Sequence, residues 1–272
     1  MVTVMVRSQK PNILQLLRVI AYWIITAIFL IAGISLSGVT FSKQMHEVAY
    51  GIWGIALVLS ITWAFIKFEK KTLKDYWIIP DGKTLLRFLT GLLLGMGAFA
   101  ILILMWIVFR KYEIHLNPKM PDVIMLLWYL AIIPASFIEE VAFRSYSLLN
   151  LANVFGLRIA QAITAIAFAL YHVPFGWTLW EALLGPGVWS LIFVIAAMYS
   201  KGIAMATGVH VGVNVIQSLV GRSKGTDSIF IMSELGDSSG YLLKLVTPTI
   251  ILIAGVILTE LYIRRKRVEQ TA

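Results

Sequence analysis

LLRVIAYWIITAIFLIAGISL, residues 16–36, is an apolar run of 21 residues whose one charge, Arg18, sits near its start. A helix rises 1.5 Å per residue, so about 20 apolar residues cross the roughly 30 Å of hydrocarbon in a bilayer. Similar runs recur near 48–66, 86–109, 123–149, 157–171, 187–199, 202–220 and 242–263. Backbone groups in lipid must be satisfied internally, which leaves helices or a closed barrel, and runs of this length select helices. The chain therefore reads as all-α, a polytopic membrane helical bundle with about eight transmembrane helices, residues 1–272 forming a single membrane domain. The first run is too long for a signal-peptide core and lacks a small-residue cleavage site before Gly38, so it is expected to remain as the first span.

Composition agrees: 59% hydrophobic, 14% charged and a mean hydropathy of +0.85 exclude an ordinary soluble domain. The absence of Cys excludes disulfides, a thiolate nucleophile and thiolate metal ligands. A net charge of +9 would suggest nucleic acid in a soluble protein, but here the basic residues sit in loops and tails beside the apolar runs, so no nucleic-acid partner is expected. The termini, the segment 67–87, Arg158 and Lys201 hold 15 of the 23 Lys and Arg; the alternate loops hold 7, and Arg144 completes the set. Basic residues concentrate on the cytoplasmic side, which predicts a multi-pass protein of the cell membrane with both termini cytoplasmic. The loop at 67–87 and the tail Arg264–Arg267 then face anionic lipid headgroups. Residues 173–186, with Pro174, Gly176 and Pro186, read as an interfacial or re-entrant connection, and 221–240 as the longest external loop. No internal repeat divides the chain.

Ionisable groups inside a span cost about 2.5 to 3.5 kcal/mol each, so each needs a reason to be there. The fourth span contains Phe137-Ile138-Glu139-Glu140-Val141-Ala142-Phe143-Arg144. Glu140 and Arg144, at i and i+4, share a face and can form an ion pair. Glu139 points about 100° away, free to face a wet cavity as a candidate general base; packing ion pairs are the structural alternative. Pro134, five residues earlier, can kink the helix beside the acids or simply be tolerated by packing. Phe168 and His172 share a face at the end of the fifth span, and His210 and Asn214 share one in the seventh. Taken alone, His172 suits an interfacial packing residue. Gly208 and Gly212 form a small-xxx-small pattern that suits a helix-packing seam. By helical rise Glu139, His172 and His210 lie about 15, 20 and 12 Å from the cytoplasmic helix ends, near enough in depth to meet. His46 and His115 fall in external loops and stay outside the group.

A carboxylate, two imidazoles and an amide in a partly dehydrated cavity can deprotonate water and stabilise charge on an attacked carbonyl. Neither a Gly-x-Ser-x-Gly elbow nor a His-Glu-x-x-His helix is present. Glu139, His172 and His210 are alternative ligands of an open zinc site, ranked below direct acid–base catalysis with no cofactor. As a set, Glu139-Glu140-x-x-x-Arg144, Phe168-x-x-x-His172 and His210-x-x-x-Asn214, with the turn Ser200-Lys201-Gly202, resemble the type II CAAX prenyl protease and bacteriocin-processing (CPBP, Abi) intramembrane protease family. The resemblance covers a catalytic core of about 123–220. It implies an intramembrane endopeptidase in which Glu139 with His172 activates water, His210 with Asn214 stabilises the oxyanion, Glu140 and Arg144 hold the site, and Phe168 shapes its wall. It implies a peptide or protein substrate, lipidated or not, with membrane lipid around it. The site is expected near the cytoplasmic half of the membrane. Two other classes use the same residues: a proton- or ion-coupled transporter, which internal inverted repeats would favour, and a non-catalytic scaffold or immunity protein, which loss of a motif residue would favour.

Overall fold

The computed structural model describes residues 13–40, 43–109, 112–118, 123–221, 228–234 and 239–271. Three long helices come first, α1 (Ile13–Thr40), α2 (Lys43–Phe68) and α3 (Thr84–Val108). A short strand, β1 (Tyr112–Leu116), leads to α4 (Val123–Glu140), which runs through a π-helical turn (Val141–Ser145) into α5 (Tyr146–Phe155) as one rod. Gly156, at φ 77°, reverses the chain into α6 (Leu157–His172). A 3-10 turn (Val173–Phe175), α7 (Leu179–Ala182), a second π-helical turn (Leu183–Gly187) and α8 (Val188–Ser200) follow, then α9 (Ile203–Leu219), β2 (Phe230–Glu234) and α10 (Ser239–Thr271).

Among the described residues, the segments 13–36, 48–68, 84–108, 157–175, 179–200 and 245–270 are long and apolar enough to cross a membrane. The shorter apolar α9 and the α4–α5 rod complete a helical bundle close to the expected eight. Large aliphatic side chains such as Ile24, Leu93, Ile101 and Leu104 face outward, as lipid contact requires. The α4–α5 rod is enclosed by its neighbours, and Ile138, Val141, Tyr146, Leu148 and Leu151 along it are fully buried.

The structure departs from the sequence reading at several points. The sixth span begins at Leu179 rather than 187, because Thr178 and Glu181 form a reciprocal capping box that starts a helix inside the supposed connection. Pro186 falls within the second π-helical turn. In the supposed external loop, Phe230–Glu234 pairs antiparallel with Tyr112–Leu116; residues 222–227 and 235–238 of that loop lie outside the described residues. His46 lies in α2 and His115 in β1, where its Nε2 is 3.3 Å from Glu113.

The glycine pattern of α9 is a packing seam. A Cβ on Gly208 or Gly212 would strike the backbone carbonyls of Phe88 and Leu92, and one on Gly91 or Gly95 those of Met205 and Val209. Helices α3 and α9 thus approach backbone to backbone through two glycines from each. Positions 210 and 214 lie about 200° around α9 from 208 and 212, so the seam turns His210 and Asn214 toward α4 and α8. At the end of the bundle where α1 begins and α10 ends, the loop after α2 is tied down through Glu69. Its carboxylate accepts from Tyr146 at 2.6 Å, Tyr76 at 3.0 Å and Gln15 at 3.1 Å. Burial, then the adjacent Glu69, pushes the Tyr76 phenol well above its usual range, so it stays a hydrogen-bond donor.

Candidate active site

The π-helical turn follows Glu139 and Glu140 directly, and the side chains around it satisfy the carbonyls it displaces. Ser145 Oγ donates to the Val141 carbonyl at 2.6 Å, while the Ala142 carbonyl accepts from Ser147 at 2.6 Å and from the Trp23 indole at 3.3 Å. Such bulges concentrate at functional positions of helices. Upstream, a Cβ on Gly51 of α2 would come within 3.0 Å of the Pro134 ring, so α2 and α4 pack closely beside the acids.

The two glutamates differ as their faces require. Glu140 is fully buried and its Oε1 lies 3.2 Å from the Arg144 guanidinium, itself fully buried. Arg144 also donates to Ser190 at 2.9 Å and stacks over the Phe168 ring at 4.2 Å. The same Glu140 oxygen lies 2.9 Å from His210 Nδ1. Because a carboxylate accepts, that nitrogen carries the proton and Nε2 is directed elsewhere. His210 Nε2 is 3.6 Å from Glu139, beyond a direct hydrogen bond. The imidazole is held flat against Phe193, ring centroids 4.5 Å apart. This contact adds to the family-derived assignment, which placed Glu139 with His172 alone.

His172 Nδ1 lies 2.8 Å from the Phe168 carbonyl, which can only accept, so its proton is on Nδ1 as well. Phe168, fully buried, touches the His172 ring at 4.7 Å and the His210 ring at 5.9 Å.

Glu139, His172, His210 and Asn214 line one cavity of about 190 Å³. Glu139, unlike Glu140, retains 20% of its side-chain exposure there. The cavity lies between α4, α6, α8 and α9, and Phe168, Phe193, Glu140 and Arg144 seal it toward the end where α1 begins and α10 ends. Its remaining walls, including Ile132, Trp177, Gln217 and Ser218, run toward the end carrying β1 and β2. The cavity therefore extends away from the basic end of the bundle, because the side chains between Glu139 and that end are large and fully packed. Glu139 also borders a second pocket, of about 280 Å³, walled almost wholly by apolar groups of α1, α4 and α6 such as Trp23, Leu30, Phe143 and Leu170. Although Glu139, His172 and His210 share the first cavity, no three His, Asp or Glu side chains among the described residues gather closely enough to hold one metal ion.

Fold and site together define a multi-pass α-helical membrane protein with a carboxylate, two imidazoles and an amide at one internal cavity. Residues 121–216, the segment containing all three motifs, match the family described as Type II CAAX prenyl endopeptidase Rce1-like, which supports the resemblance found in the sequence. That family is one of endopeptidases, so the match supports a protease at the family level. No curated protein matches the chain.

Sequence reasoning missed Ser190, Phe193 and the π-helical turn. Ser145 and Ser147, two hydroxyls spaced to capture carbonyls at 141 and 142, were the available signal for the turn.

Proposed function

We propose that the chain is an intramembrane endopeptidase that hydrolyses peptide bonds with water activated at Glu139. The observation that carries this reading is the convergence of Glu139, His172, His210 and Asn214 on one cavity, with Glu139 accessible and Glu140 sealed. Glu139 accepts the proton of a water held between it and His172 Nε2, and that water attacks the substrate carbonyl. With its Nδ1–H held by Glu140, His210 donates from Nε2 only as the imidazolium. Its Nε2–H and the Asn214 amide stabilise the oxyanion. Collapse of the tetrahedral intermediate breaks the C–N bond as Glu139 returns its proton to the leaving amine. Arg144 fixes Glu140, and Phe168 walls the site. No step is routed through a metal.

The apolar pocket beside Glu139 suits a hydrocarbon chain, which favours lipidated substrates over bare peptides. The distribution of basic residues favours cytoplasmic termini, and in that orientation a substrate would enter from the opposite face of the membrane.

Purified protein in detergent, presented with quenched prenylated, acylated and unlipidated peptide libraries with and without chelator, tests the proposal. Chelator-resistant cleavage is expected, faster on lipidated peptides. Absence of cleavage would return the chain to the transporter or scaffold classes, and chelator-sensitive cleavage would require a metal at the site.

A further inference from the structure

Ser136 is 1% exposed, lines the cavity, and its hydroxyl has no hydrogen-bond partner among the described residues. Helical Ser and Thr in lipid ordinarily bond back to the carbonyl four residues earlier, and although the buried Thr26 hydroxyl does not, many in this chain follow the habit. Ser60, Ser145, Thr164, Ser200 and Thr207 all do so. Ser136 forgoes the Ile132 carbonyl. A buried hydroxyl without a partner lowers stability, so its retention at the wall of a reactive cavity points to a bond made only when a ligand is present.

Its position says which bond. Ser136 lies three residues before Glu139 on α4, on the same face, about 4.5 Å nearer the β1–β2 end. Asn214 lies four residues beyond His210 on α9, which runs antiparallel to α4, and so rises about 6 Å in the same direction. Glu139 and His210 form a lower tier; Ser136 and Asn214 form the tier above it, on opposite walls. Water activated in the lower tier attacks a carbonyl carbon whose oxygen reaches the upper one. Glu139 supplies no donor in its basic form, so an oxygen that rises from His210 Nε2 into that tier meets Asn214 on one wall and Ser136 on the other.

We propose that Ser136 is a catalytic residue whose hydroxyl donates a hydrogen bond to the substrate carbonyl oxygen, opposite Asn214, as the oxyanion forms. This rests on the endopeptidase reading above. Ser136→Ala is expected to lower kcat about 10²-fold with KM changed less than about threefold, as loss of one oxyanion donor does. A peptidyl phosphonate transition-state analogue should bind weaker by the same factor, while the cleaved product peptide binds as before. The melting temperature should hold or rise, because the variant removes an unpaired buried hydroxyl. Undiminished turnover would overturn the assignment, and so would a loss of turnover accompanied by a lower melting temperature, which marks a packing role. Wild-type protein that cleaves no peptide would instead bring down the endopeptidase reading, and this inference with it.

Discussion

Removing the Glu140 carboxylate should unfold the site as well as silence it. In Glu140→Ala, Arg144 loses a partner 3.2 Å away while remaining fully buried, and His210 Nδ1 loses its acceptor at 2.9 Å. At an effective dielectric near 20, two unit charges at that separation attract by about 5 kcal/mol. Breaking a buried pair from one side typically costs about 3 to 5 kcal/mol, because the surviving charge stays desolvated. At roughly 2 to 4 °C per kcal/mol, the melting temperature in detergent should fall by about 6 to 20 °C. The Ser190 bond and the Phe168 ring soften the loss without replacing the charge. Converting both partners, as in Glu140→Gln with Arg144→Met, should recover a large part of it, since no buried charge is then left unpaired. Thermal unfolding of Glu140→Gln, Arg144→Met and the double variant measures the coupling. A Glu140→Ala protein that melts with wild type and lacks only turnover would refute the structural role and make Glu140 the better candidate for the base.

Other consequences follow from the same geometry. His210→Ala should lower kcat/KM by about 10² to 10⁴, since it removes the imidazole between Glu139 and Glu140; turnover within tenfold of wild type would remove His210 from the chemistry. Gly95→Ala drives a methyl into the Val209 backbone and should cost about 1 to 3 kcal/mol in thermal unfolding, whereas Gly97→Ala, with nothing within 4 Å of its added Cβ, should be silent; equal effects would deny the seam. Reporter fusions at the C-terminus and at Ser228 should report opposite sides of the membrane, with the C-terminus cytoplasmic; the reverse orientation would turn the cavity to the cytoplasm.

Most of the bundle and the meeting of the motif residues were legible because both depend on helical period and span length. Run length predicted the spans, and i, i+4 spacing put Glu140 with Arg144 and His210 with Asn214 on shared faces. The glycines at 208 and 212 announced a seam, but their partners at 91 and 95 lie on a helix more than 100 residues away, and pairing between distant helices leaves no local trace. The same holds for the β1–β2 pair, five residues from each of two remote loops. Thr178 and Glu181 did carry a capping signal, obscured by Pro174, Gly176 and Pro186 around it. The direction of the cavity depended on Phe168, Phe193 and Arg144 closing together below Glu139, a three-dimensional fact that hydropathy does not encode. Ser136 escaped notice because serine is common in membrane helices, and an absent bond leaves no mark in a sequence.

The central claim is that Glu139 is the base in a hydrolytic site. Glu139→Gln keeps the size and polarity of the side chain but cannot accept the proton of water. Wild type and this variant, purified side by side, should be compared for melting temperature and for initial cleavage rate on the best lipidated peptide. The expected result is a melting temperature close to wild type with turnover reduced at least about 10²-fold. A Glu139→Gln protein that cleaves at the wild-type rate would contradict the claim.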